Sequence, residues 1–116
     1  MSFDVQHTTL REIPVLLVTG ELDLLTAPRL AEEVDRALAA RPSLLALDLS
    51  GTTFLDSSGA RQIARSARVA GRSGTAVQVV CPPENHPVRL VFDLLSMDSI
   101  VPVLPSTDLL GRDCRP

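Results

Sequence analysis

Apolar and polar positions alternate in two rhythms along this chain, and the switches between them outline its elements. Phe3 to Thr9 and Pro14 to Thr19 have strand character; the second reads PVLLVT and is ended by Gly20, so the pair predicts a hairpin. After Glu21-Leu22-Asp23 the rhythm turns helical. Thr26 stands where an N-cap belongs, and Ala27, Leu30, Val34, Ala37 and Leu38 recur with Glu32, Glu33 and Asp35 between them, up to Pro42. Leu44 to Leu49, LLALDL, is short and nearly all apolar, which fits a buried central strand.

A second amphipathic helix follows from Ser58 to Ala70, with Ala60, Ile63, Ala64, Ala67 and Ala70 on one face and Gly71 available as a left-handed C-terminal residue. Thr75 to Cys81 returns to strand character before Pro82-Pro83. Asn85 is placed to cap a third helix reaching Ser96, with Val88, Leu90, Val91, Leu94 and Leu95 expected to be buried and Pro87 tolerated in its first turn. Ile100 to Leu104 predicts a last strand, and Ser106-Thr107-Asp108 a final helical turn. The order strand, strand, helix, strand, helix, strand, helix, strand implies an α/β domain with a mixed, mainly parallel sheet. A single domain over 1–116 is expected, its core at about 3–110 and its tail, 111–116, disordered.

Composition narrows the possibilities. Hydrophobic residues make up 45% of 116 against 22% charged, and aromatics only 3%, so the core must be aliphatic. A formal charge of −3 offers no global field for nucleic acid. Cys81 and Cys114, with His7 and His86, give neither a disulfide framework nor a zinc spacing, so neither a metal nor a cofactor is expected and the compartment reads as reducing. The start, MSFDVQHTTLRE, lacks the pattern of a signal peptide, and no run approaches the roughly 18 apolar residues of a membrane span. A cytoplasmic location is expected.

In an open sheet of this type, sites gather at the carboxyl ends of the strands, which singles out Asp56-Ser57-Ser58-Gly59 after the central strand. Any of Asp56, Ser57 or Ser58 would serve as a plain helix cap. An acid and two hydroxyls exceed what one cap needs, however, and a phosphate at a helix N-terminus is electrostatically tolerated. A nucleophilic-serine enzyme fits poorly: Gly-x-Ser-x-Gly is absent and neither histidine has a claim as general base, so no catalytic residue is assigned. Arg61, Arg65, Arg68 and Arg72 share one helix face, either as solvated charge or to meet an acidic partner or a phosphate.

At these residues the sequence resembles the STAS domain family, specifically its anti-sigma factor antagonists. The resemblance is carried by VTGELDLLTAP (Val18 to Pro28), LALDLSGTTFLDSSGARQI (Leu45 to Ile63) and VRLVFDLLSMDSIVPVLPS (Val88 to Ser106). It implies a STAS-type fold, a four- to five-stranded mixed sheet with helices packed on one side, in a protein without catalytic activity. It further implies binding to an anti-sigma factor serine kinase with release of the sigma factor, phosphorylation of the serine after the aspartate, here Ser57, and reactivation by a serine phosphatase. In that reading the chain acts as a monomer or weak homodimer and docks through Asp23, Asp56, Ser57, Ser58, Gly59 and Arg61. Asp56 would position the turn, Ser58 cap the helix, Gly59 allow close backbone approach, and Asp23 lie near the acceptor. Ala60-Arg61-Gln62-Ile63 departs from the apolar run usual there. The alternative is the STAS subunit of a lipid or solute transporter, an interaction module that is not phosphorylated.

Overall fold

A computed structural model describes residues 3–111. The hairpin forms as β1 (Phe3–Leu10) and β2 (Ile13–Leu22), paired antiparallel from Phe3 opposite Gly20 to Leu10 opposite Ile13. Arg11 and Glu12 both have positive φ, 49° and 69°, as a two-residue turn matched to strand twist requires. Arg11 also donates to the carbonyls of Thr107 and Leu110, at 3.2 and 2.9 Å, tying this turn to the far end of the chain.

The remaining elements are α1 (Ala27–Leu38), β3 (Leu44–Asp48), β4 (Thr52–Leu55), α2 (Ser57–Arg72), β5 (Ala76–Val80), α3 (His86–Leu94) and the two-residue β6 (Val103–Leu104). The sheet runs β1-β2-β3-β5-β6, with every pair after the hairpin parallel, and β4 also pairs β2. This is the expected mixed, mainly parallel sheet. Its sixth strand, β4, is new: TTFL is too short, and too close to the Ser50-Gly51 turn, for its pattern to stand out. Gly20 does not end β2 as expected. With φ 91° it bends the strand at a register shift, so β2 leaves β3 after Leu17 opposite Asp48 and pairs β4 from Gly20 opposite Thr52 to Leu22 opposite Leu55.

β3 is buried along its whole length because β2 and β5 flank it and both of its faces are covered. On one face Leu45 and Leu47 join Leu16, Val18, Val77 and Val79 beneath all three helices, which contribute Leu30, Val34, Ile63, Ala70, Val88 and Phe92. Each of these side chains other than Ala70 contributes about 1.5–3 kcal/mol by leaving water. The other face holds a smaller cluster of Val15, Ala46, Val80, Leu104 and Leu110. It is closed by the 3-10 turn Thr107–Leu109, opened by Ser106 as expected, and by Gly111 donating to the buried Gln78 at 2.9 Å. The helices therefore pack on one side.

Several local expectations change. Thr26 precedes α1 but makes no cap bond, because its hydroxyl accepts from the Asp23 amide and donates to the Glu21 carbonyl. Gly71 lies inside α2, and the left-handed residue is Gly74, φ 84°. Asn85 does not cap α3; its side-chain amide donates to the carbonyls of Leu49 and Thr52, holding the turn into β4. On α3 it is Val88 and Phe92 that are buried, while Leu90, Leu94 and Leu95 are exposed. The segment after it forms a 3-10 turn, Met97–Ser99, that buries Met97 and leaves only two residues for β6. Cys81 is buried, which pushes its thiol pKa up and keeps it protonated; Cys114 and the rest of the predicted tail from 112 onward lie outside the described residues.

β1 is fastened to α1 by His7, whose Nε2–H donates to Glu33 Oε1 at 2.6 Å, with Arg36 donating to the other carboxylate oxygen at 3.2 Å. The hydrogen bond from His7, opposed by burial and aided by Arg36, holds the Glu33 carboxyl below its ordinary value. A carboxyl depressed on folding stabilises fully above its unfolded value and loses that contribution as pH falls through the folded one. Urea midpoints of wild type and Glu33→Gln should therefore differ at pH 7 and draw together as the pH falls through and below the ordinary carboxylate range; a difference undiminished by acid would sink this account.

Candidate docking site at the start of the second helix

The first turn of α2 is built against the end of β2. Leu22 and Leu55 are partners in the parallel β2/β4 register, so the chain leaves both strands side by side, through Asp23 on one and Asp56 on the other. Asp56 is still extended (φ −112°, ψ −175°), its Oδ1 accepts from the Gly59 amide at 2.9 Å, and its carbonyl accepts from Ala60. Asp56 is thus the N-cap, and the expectation that Ser58 caps this helix is corrected. Ser57 and Ser58 are already helical, and only the residue before the first helical one has the backbone that turns its side chain onto those amides.

Gly59 is required by contact rather than by backbone angle. A Cβ there would collide with the carbonyl oxygen of Leu22 and lie 2.7 Å from Leu55 Cδ1. The close backbone approach expected of this glycine is what the structure has.

With Asp56 serving as cap, the hydroxyls of Ser57 and Ser58 have no hydrogen-bond partner among the described residues, and Ser57 is exposed. Asp23 lies at the neighbouring strand end, but its carboxylate is engaged in its own loop, accepting from the amides of Leu25 and Thr26 at 3.0 and 3.1 Å. That bracing presents Leu24 and Leu25 to solvent at 71% and 86% exposure.

Two shallow grooves flank the start of α2. One, of about 210 Å³, lies toward α1 and is lined by Leu24, Ala27, Pro28, Ser58, Arg61, Gln62 and Arg65. The other, of about 270 Å³, lies toward the end of α3 and is lined by Ser57, Ala60, Arg61, Ala64, Leu95, Met97 and Ile100. Ser57, Ser58 and Arg61 are brought together on the ridge between them, whereas Asp56 and Gly59 hold the ridge in place. The sequence pattern did not single out Leu24, Leu25 and Ile100 as surface residues or Met97 as the buried floor of the second groove, and it put Leu95 in the core. The one available signal was the adjacent pair Leu24-Leu25, which falls outside the helical period of α1.

What the arrangement offers is recognition chemistry: an exposed hydroxyl at the positive end of a helix, a guanidinium beside it, and a groove on either side, the one toward α3 mainly apolar. His7 is committed to Glu33. Among the described residues no three His, Cys, Asp or Glu side chains gather as a metal site, and no helix is long and apolar enough to cross a membrane.

Comparison with known proteins bears on the family and the fold. The STAS domain family profile matches residues 4–109. The anti-sigma-F factor antagonist RsfB of Mycobacterium tuberculosis is 38% identical over 61 residues, 53% of this chain, and the match spans about half (50%) of that relative. The crystal structure of an anti-sigma factor antagonist from Mycobacterium paratuberculosis superposes with a TM-score of 0.81 at 29% identity, over 92% of this chain and 89% of that one. The antagonist SpoIIAA in its unphosphorylated form shares the fold, with a TM-score of 0.71 at 19% identity over 96% and 95% of the two chains.

Alanine in place of glycine inside a helix ordinarily stabilises by about 1 kcal/mol. At Gly59 the clash with backbone should outweigh this, so Gly59→Ala should destabilise by about 1–3 kcal/mol. Asp56→Ala should cost about 1 kcal/mol and Ser58→Ala less than about 0.5 kcal/mol. Urea denaturation of the three variants checks the order; a loss in Ser58→Ala matching that in Asp56→Ala would refute the cap assignment.

Proposed function

The chain belongs to the STAS domain family, and from that premise we propose that it is an anti-sigma factor antagonist acting by partner exchange. Unmodified, it docks on an anti-sigma factor serine kinase through Ser57, Ser58 and Arg61, presented by Asp23, Asp56 and Gly59 beneath and beside them, and the kinase then releases its sigma factor. The kinase transfers the γ-phosphoryl group of ATP to Ser57 Oγ; ADP leaves, the hydroxyl proton is lost, and the complex dissociates. A serine phosphatase hydrolyses the phosphoester and restores binding. The chain itself performs no catalysis and needs no cofactor, and it works in the cytoplasm, where such partners reside.

The observation that carries this reading is the division of labour in the first turn of α2: Asp56 holds the cap, so the exposed Ser57 hydroxyl is spent on nothing else. A phosphate there would add about 1.5–2 negative charges at the positive end of α2, which the helix tolerates. A partner surface fitted to a neutral hydroxyl would not. Repulsion from facing carboxylates and the cost of desolvating the phosphate would both weaken the complex, so the switch acts on the interface rather than on the fold. The similarity to an anti-sigma-F factor antagonist supports the antagonist role.

Incubation with candidate anti-sigma kinases and ATP, followed by mass spectrometry, should place one phosphate on Ser57. Ser57→Ala should bind the kinase within about threefold of wild type, and the phosphorylated chain at least about tenfold more weakly, roughly 1.4 kcal/mol. Binding to a transporter subunit with no binding to any such kinase would overturn the proposal, as would ester hydrolysis abolished by Ser57→Ala.

A further inference from the structure

Arg61, Arg65, Arg68 and Arg72 are spaced four, three and four apart and all are exposed, so they form one row about 16 Å long on α2. None of the four has a hydrogen bond or an ion pair among the described residues. Other arginines are differently placed: Arg11 and Arg89 donate to backbone carbonyls, Arg36 to Glu33, and Arg29 donates to the Phe3 carbonyl and lies over its ring. In a chain of net charge −3, a row of four free cations is a local reversal of sign.

The row also runs into apolar surface. Arg61 borders both grooves at the start of α2, Arg65 borders one, and no carboxylate lines either. Leu24 is exposed beside the first groove, while Leu95 and Ile100, 43% and 53% exposed, form the wall of the second. Apolar anchors beside unpaired guanidiniums are the composition of a protein-binding surface rather than of a solvated one.

We infer that this face receives an amphipathic helical segment of the partner whose apolar side chains fill the Leu95–Ile100 groove and whose carboxylates pair with Arg61, Arg65 and Arg68. The inference deepens the reading above and rests on its docking face, but it names the partner's chemistry. Guanidinium–carboxylate pairs beside a partly desolvated groove supply orientation and attraction, and the groove supplies burial. The same complementarity makes a new phosphate on Ser57 unwelcome, since it would face the partner's acidic flank.

The probe is a fluorescein-labelled helical peptide of about 16 residues, long enough to span the row, with leucines at helical spacing and glutamates on both flanks; a second peptide carries glutamine instead. Anisotropy at low salt should show the glutamate peptide binding at least about tenfold more tightly, with the advantage shrinking between about 50 and 500 mM salt. Amide NMR shifts should concentrate at 57–72 and 95–100. Arg65→Glu with Arg68→Glu should abolish the advantage, Ile100→Ser should weaken both peptides, and Arg41→Glu, on an exposed turn elsewhere, should change nothing. Equal binding of the two peptides, or unchanged binding by the double variant, would overturn the inference. The kinase separates the two readings. Equal affinity for wild type and double variant leaves the antagonist role standing and removes this one; failure of any kinase to bind, with the peptide preference intact, does the reverse.

Discussion

One backbone oxygen, the carbonyl of Leu22 at the end of β2, fixes the position on which the rest of this molecule's working surface depends. The Asp56 amide donates to it at 3.4 Å, and α2 starts so close above it that only a glycine fits at position 59. That approach needs β4 beside β2, and β4 is there because Gly20 bends β2 out of its pairing with β3. The turn from β3 to β4 is held in turn by Asp48, which accepts from the Ser50 amide and hydroxyl, and by the Asn85 amide on Leu49 and Thr52. Residues far apart in the chain thus hold one helix turn at one height above the sheet.

The consequence is a separation of structural from chemical duties within four consecutive residues. Asp56 and Gly59 are consumed by the fold, the first as cap and the second as the point of contact. Ser57 and Ser58 are left with their hydroxyls unused, and a rigid first turn presents them at a fixed angle. Were this turn to dock as proposed, side chains already held in place by a cap and a close contact would lose little freedom on binding. The neighbouring loop follows the same logic: Asp23 and Thr26 bond to each other and to Glu21, so that Leu24 and Leu25 can be held out in water.

Much of this was legible in the sequence wherever the signal is local. The periods of α1 and α2, the wholly apolar run of β3 and the Asp-Ser-Ser-Gly turn at a strand's carboxyl end are patterns that neighbouring residues produce among themselves. Misreadings fall where a side chain is drawn out of the expected pattern, by a near neighbour or by a distant one. Thr26 and Asn85 have the chemistry of caps, yet their side chains are drawn to Glu21 in one case and to Leu49 and Thr52 in the other. Leu90, Leu94 and Leu95 have the chemistry of core, yet α3 meets the core through Val88 and Phe92, which leaves the other side of the helix in water.

By itself, then, the sequence determined the fold class, the order of nearly all its elements and the stretch that carries the candidate site, because hydrophobic period and turn chemistry act over a few residues. Only the tertiary structure decided that Asp56 and not Ser58 is the cap, that Gly59 is demanded by the Leu22 carbonyl, and that Leu95 and Ile100 stand beside Ser57 and Arg61 as a surface. The last two are distances between residues that the chain separates by tens of positions, and such distances exist only once the sheet register has brought the segments together; the first turns on where the helix starts, since Asp56 still has extended backbone and Ser58 does not.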